Sequence, residues 1–159
     1  MDEKTGVGKL MMDDGIALAA LVSVLMVLLS FLIHYEALYW ISRYIPRVKL
    51  VHGRLRMMLV VTGVFAAHTL EVWAYAICFY LLSLFGAGGL EGAVVSTDFL
   101  EYLYFSAVTY SSLGLGEIFP TGAFRLLTGV EALNGLVLIG WSASFTYLYM
   151  EKFWNFPKK

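Results

Sequence analysis

Polar and apolar residues do not alternate along this chain. They fall into long blocks, and the blocks predict its elements. From Ile16 to Ile33 no charged side chain occurs. A run of that length suits a membrane-crossing helix, which takes about 20 apolar residues. His34, Tyr35, Tyr39 and Trp40 follow it and suit a headgroup belt, where amphipathic rings settle. The expected element is a transmembrane helix with an interfacial extension over 16–45, after a tail over 1–15, and Pro46 ends it. Two further blocks, 57–85 and 123–150, are also long enough to span. A fourth, from Phe99 to Ser111, is not: it makes roughly 20 Å of helix against a hydrocarbon core of about 30 Å. Asp98 opens it, with Glu101 three residues on as capping-box partner, which predicts a short re-entrant helix over 98–111. Such backbone is tolerated only where protein or a watery cavity covers it. One copy is too small to do so, and the pattern therefore predicts self-association.

The charges orient these elements. Arg43, Arg47, Lys49, Arg54 and Arg56 crowd around the connector over 46–56, which the positive-inside rule places in the cytoplasm. The tail over 1–15 and the loop after the second span then lie outside, and the tail over 151–159 inside. Eight of the eleven Lys and Arg residues fall on the cytoplasmic side. Outside, Glu91, Asp98, Glu101 and Glu117 outnumber Arg125, a balance that should draw cations to the mouth. Acids flank the first apolar run, where a secretory leader would start basic, so the run is read as a retained span of a plasma membrane protein. Gly86 to Gly89 read as a turn.

Composition agrees. The chain has 159 residues, 60% hydrophobic and 14% charged, with a mean hydropathy of +0.75; a soluble domain carries about 25% charged residues. The class is an all-α integral membrane protein with three transmembrane helices, surrounded by lipid. A net charge of −1 gives no reason to expect nucleic acid. Cys78, the single cysteine, reads as a small buried residue. No zinc spacing, P-loop, G-x-S-x-G or dinucleotide fingerprint occurs, so neither an enzyme nor a bound cofactor is expected.

The candidate chemistry lies between the last two blocks, in Thr109-Tyr110-Ser111-Ser112-Leu113-Gly114-Leu115-Gly116-Glu117-Ile118-Phe119-Pro120. Glycines reach backbone angles closed to other residues, and alternating them lets successive carbonyls face one side. A row of carbonyls aimed at one axis replaces the water around a dehydrated cation. This is the pattern of a cation filter.

Ser112-Leu113-Gly114-Leu115-Gly116-Glu117 resembles the Thr-Val-Gly-Tyr-Gly-Asp signature of the potassium channel superfamily. Tyr104 to Thr109 resembles the end of a pore helix, Pro120 follows the acid by three residues, and Gly135 stands where the inner helix often has a hinge glycine. The resemblance covers roughly residues 56 to 150 and is to small bacterial channels with two helices around one pore loop. It implies a homotetramer with a pore domain over 57–150: outer helix 57–85, pore helix 98–111, filter 112–117, inner helix 123–150. The carbonyls of Ser112, Leu113, Gly114 and Leu115, with the Ser112 hydroxyl and Gly116, would hold K+ as the permeant ion, and Glu117 would concentrate cations at the outer mouth. Gly135 would let the inner helix bend, with Ile139, Ala143 and Tyr147 lining the passage below. Leu115 in place of tyrosine lacks the hydroxyl that braces the filter; packing on Tyr104 and Phe105 is expected instead, and selectivity for potassium should weaken.

Two carboxylates lie within spans, where a charge at the bilayer centre costs about 2.5 kcal/mol or more. Glu71 is three residues from His68, so the two share a face and form an expected buried pair. Glu131, near Asn134, is expected to accept hydrogen bonds from Thr109 or Ser111. A scaffold network, a proton-sensing role and direct ion coordination are all open to these groups. Trp73 and Trp141 read as helix-packing residues.

No span carries the repeated arginines of a voltage sensor, and no soluble gate is expected after the last span. The rival readings are a non-selective cation channel, a non-conducting channel-like scaffold, and, behind these, a small transporter, for which one re-entrant loop offers no repeat machinery.

Overall fold

The computed structural model describes residues 3–45, 53–92 and 98–153. Its helices are α1 (Glu3–Tyr44), α2 (Gly53–Leu84), α3 (Phe99–Tyr110) and α4 (Phe124–Phe153). Among the described residues, three stretches are long and apolar enough to cross a membrane: Gly15–Tyr44, Gly53–Leu84 and Phe124–Lys152. Leu21, Leu25, Leu28, Phe65 and Leu70 point outward from α1 and α2, as helices facing lipid require. Hydroxyls inside α1 are satisfied within the helix, Ser23 donating to the Ala19 carbonyl and Ser30 to that of Met26.

Two expectations are corrected here. The tail over 1–15, expected to lie apart from the span beginning at 16, is helical from Glu3 and continuous with it. No proline interrupts it, and extending an existing helix adds a hydrogen bond for each residue fixed. The Asp98 half of the expected capping box does not form either. Asp98 is the N-cap of α3 but makes no side-chain cap bond, and its carbonyl accepts from the Glu101 N–H instead. Pro46, Arg47, Lys49, Lys158 and Lys159 lie outside the described residues.

α3, with 12 residues and so about 18 Å long, packs against both α2 and α4, and α1 packs against the same two helices. Phe79 of α2 is central to the core, its ring 5.3 Å from that of Phe105 on α3 and 5.0 Å from that of Phe124 on α4. A second cluster, Leu38, Ile41, Val60 and Val64, joins α1 to α2. Cys78 is half-buried against the first cluster.

The outer loop holds structure that the sequence pattern does not announce. After α2, Gly86 takes φ +69; its N–H bonds the Ser83 carbonyl and that of Ala87 the Leu82 carbonyl, the paired closure of a left-handed helix cap. The chain then forms strand β1 (Gly88–Gly92), antiparallel to β2 (Ile118–Gly122), with Leu90 opposite Pro120 and Gly92 opposite Ile118. Neither Gly-Gly-Leu-Glu-Gly nor a strand containing proline has strand propensity. Proximity forces the pairing, and the ribbon ties the approach to α3 to the exit from the 112–117 segment.

Candidate pore segment and its polar supports

The end of α3 determines where the glycine-interrupted segment starts. The Ser112 N–H bonds the Thr109 carbonyl at 2.9 Å and the Leu113 N–H bonds that of Val108 at 3.0 Å. This is the same cap that closes α2, and its left-handed position falls on Ser112, with φ +56. Gly114 and Gly116 follow at φ +55 and +78, while Leu113 and Leu115 between them are not left-handed. Every second residue from 112 to 116 therefore has reversed handedness, and glycine supplies it at two of the three positions without strain. The sequence pattern anticipates the glycines but not the serine.

The segment is open to its surroundings. Leu113 and Leu115 are 64% and 56% exposed, an unusual state for leucines at a helix-flanked turn. Ile139, Ala143 and Tyr147 on α4 are exposed too. Beside the segment a cavity of about 180 Å³ is lined by Tyr104, Phe105, Val108, Thr109, Leu115 and Glu117 among others. The Tyr104 hydroxyl donates to Glu117, so Tyr104 braces the acid rather than serving only as an apolar wall. That hydrogen bond, ahead of desolvation, holds the Tyr104 phenol above its ordinary value of 10.

Supports behind the segment differ from the expected set. Glu131, fully buried, faces Ser106 with Oε1 2.5 Å from its Oγ; Thr109 and Ser111 are not its partners. The register places Ser106 one helical turn earlier, and Ser111 turns its hydroxyl back to the Ala107 carbonyl at 2.8 Å. Asn134 donates to the Tyr75 hydroxyl at 3.1 Å. Phe105 is buried in the core against Phe79 as well as lining the cavity. Gly135 has a packing reason: a Cβ there would lie 2.1 Å from the Tyr110 carbonyl oxygen, and α4 runs through it as continuous helix.

The expected pair of His68 and Glu71 is present, with Nδ1 to Oε2 at 3.2 Å, but it belongs to a larger cluster. His34, read as a headgroup residue, is fully buried on α1 and places Nδ1 2.9 Å from Glu71 Oε1. The Tyr110 hydroxyl donates to Glu71 Oε2 and lies 2.8 Å from His68 Nδ1. Ser142 Oγ on α4 stands 2.9 Å from His68 Nε2 and 3.2 Å from His34 Nε2. All four helices thus meet at one polar node, walled by the Trp141 ring 5.3 Å from that of His34. Trp141 packs there as expected of it, and Trp73 packs its ring 5.8 Å from that of Phe99. A carboxylate in a span needs partners; that demand, applied beyond neighbouring turns, was the only sequence signal for His34.

Comparison with curated proteins and with solved structures gives no match. A family model described as Ion channel matches residues 57–152, the part of the chain from α2 through the pore segment to α4, and leaves α1 outside. With three membrane-length helices, the chain is a multi-pass membrane protein. The match spans well over half of its length, and the chain belongs to the two-helix, potassium-channel-like ion channel family.

Proposed function

We propose that four copies assemble around one axis as a cation channel, with the carbonyls of Ser112, Leu113, Gly114 and Leu115 forming stacked sites for K+. The observation that carries this reading is the alternation of left-handed backbone at Ser112, Gly114 and Gly116. Reversing handedness at every second residue lets successive carbonyls face one side, where they replace an ion's hydration shell. Exposed Leu113 and Leu115 support assembly, because apolar side chains around a re-entrant segment need cover from further copies. Ile139, Ala143 and Tyr147 would line the passage below, and Glu117, held by Tyr104, would concentrate cations above. The basic connector would be cytoplasmic and the pore segment would face outward across a plasma membrane.

One observation favours weak selectivity. The cavity of about 180 Å³ beside Leu115 leaves open space against the segment, so its carbonyls have room to move apart. Sodium would then also pass, though less readily than potassium.

Liposomes holding the purified protein decide between the readings. Flux of K+ exceeding that of Na+ and Ca2+ is the expected result. Comparable flux of all three selects the non-selective channel, and no flux selects a non-conducting scaffold. A reversal potential that follows chloride refutes the proposal.

A further inference from the structure

The node formed by His34, His68, Glu71, Tyr110 and Ser142 brings two imidazoles and a carboxylate to one point inside the helix bundle. With neutral rings and an ionised Glu71 it has four hydrogens to share, one from each ring, one from Tyr110 and one from Ser142. The hydrogen on His68 Nδ1 can serve both Tyr110 and Glu71. The contacts left are His34 with Glu71, Tyr110 with Glu71, and both Nε2 atoms with Ser142. If both rings carry hydrogen on Nδ1, Ser142 has one hydrogen for two bare Nε2 atoms. If both carry it on Nε2, Ser142 accepts both through its two lone pairs. His34 Nδ1, His68 Nδ1 and the Glu71 carboxylate then converge as bare lone pairs. The mixed arrangement, with hydrogen on His34 Nδ1 and His68 Nε2, satisfies the node without an ion, whereas hydrogen on both Nε2 atoms presents three lone pairs to a cation.

We propose that this point is a binding site for a borderline divalent transition cation of the zinc type, held by His34 Nδ1, His68 Nδ1 and Glu71, with the Tyr110 oxygen as fourth donor. The three principal ligand atoms lie within 4.8 Å of one another. Tetrahedral bonds of about 2.0–2.1 Å place ligands about 3.3 Å apart, and the contacts of 2.9 and 3.2 Å between ring nitrogens and carboxylate are close to that spacing. Two imidazoles with one carboxylate suit zinc, cobalt or nickel better than calcium or magnesium, which prefer oxygen alone. Ser142 orients both rings through their far nitrogens, as second-shell partners of metal-bound histidines do, and Trp141 keeps one side apolar. His68, with 17% of its side chain exposed, is the route of entry; the side chains of His34 and Glu71 are closed. A bound ion would fasten α1 to α2 and to the end of α3, two residues before Ser112. The proposal does not depend on conduction, and its test measures none.

The full-length protein in detergent is stripped with a chelator, loaded with Co2+ as a spectroscopic stand-in for Zn2+, and desalted. The expected result is one retained ion per chain, with visible absorption typical of low-coordinate cobalt that disappears on adding Zn2+. His34→Gln, His68→Gln and Glu71→Gln keep hydrogen-bonding groups but remove a ligand or its charge, and each should lose the retained ion. Ser142→Ala should weaken binding about 10- to 100-fold without abolishing it. Wild-type protein that retains no ion overturns the proposal. Equal retention by wild type and all three glutamine variants overturns it also, since the ion would then sit elsewhere. Should a glutamine variant not fold, wild-type stoichiometry and the Ser142→Ala shift still decide.

Discussion

Gly135 on α4 meets the carbonyl of Tyr110 so closely that a Cβ would stand 2.1 Å from its oxygen. Backbone does not yield as a side-chain tip does, so Gly135→Ala forces the end of α3 away from α4. Overpacking of this kind costs about 1–3 kcal/mol. Gly140, five residues on, has open space among the described residues where a Cβ would stand, and Gly140→Ala should be neutral or gain up to about 1 kcal/mol of helix propensity. Thermal unfolding of the two variants in one detergent separates close packing from hinge flexibility, because a purely hinge glycine would tolerate alanine at 135 as well as at 140.

Ser112 takes the left-handed position of the cap on α3. A non-glycine residue there carries about 1–2 kcal/mol of strain. Ser112→Gly should raise stability by up to about 1 kcal/mol, the remainder being offset by a freer unfolded chain. Ser112→Val, branched at Cβ, should lower it. A melting series over the three proteins checks the order, and valine as stable as glycine would contradict the backbone assignment.

Ser106 has one hydroxyl hydrogen but stands 2.9 Å from the Val72 carbonyl oxygen and 2.5 Å from Glu131 Oε1. A side chain at 131 that brings its own donor satisfies both. Glu131→Gln should therefore fold and elute like wild type, within about 1 kcal/mol in stability. Glu131→Ala leaves buried space and unpaired neighbours, and should lose about 2–4 kcal/mol. Chemical denaturation of both variants is the measurement, and a glutamine variant as damaged as the alanine one would show that the network needs the carboxylate charge.

The hydrogen bond from Tyr104 to Glu117 shifts the titration of the phenol. The phenol is held above 10, chiefly by its hydrogen bond to the acid. A raised value means that the contact is intact below the ordinary value of the phenol and is lost as pH rises through the raised one. The brace on Glu117 should thus hold unchanged from neutral pH to about 10. Phenolate absorbance of wild type minus Tyr104→Phe should titrate above 10, and in a Glu117→Gln background the same difference should fall back towards it. An identical midpoint in both backgrounds would remove the pairing.

What the sequence made legible was what neighbours along the chain decide. Span length, the short block from Phe99 to Ser111 and the spacing of Gly114 and Gly116 are local features, and the helices follow them. The pair of His68 and Glu71 was visible because three residues separate them on one helix. His34 was not, since it lies 37 positions from Glu71 and its aromatic neighbours suggested a headgroup layer. The ribbon was hidden for a similar reason: β1 and β2 have no propensity of their own and pair only because the fold brings them together. Glu131 was assigned a polar partner on the correct helix but on the wrong turn, an error of rotation that burial settled by placing Ser106 inward.

The helix beyond the family match supplies His34, and His34 is one of three side chains on which Glu71 depends. A chain stripped of α1 would leave that carboxylate with one flank bare against hydrocarbon. Severing the first helix should therefore harm insertion of a core whose own sequence is intact, and putting leucine at 71 should lessen the harm. The first helix is no detachable ornament: the acid and the helix that covers it make structural sense only together.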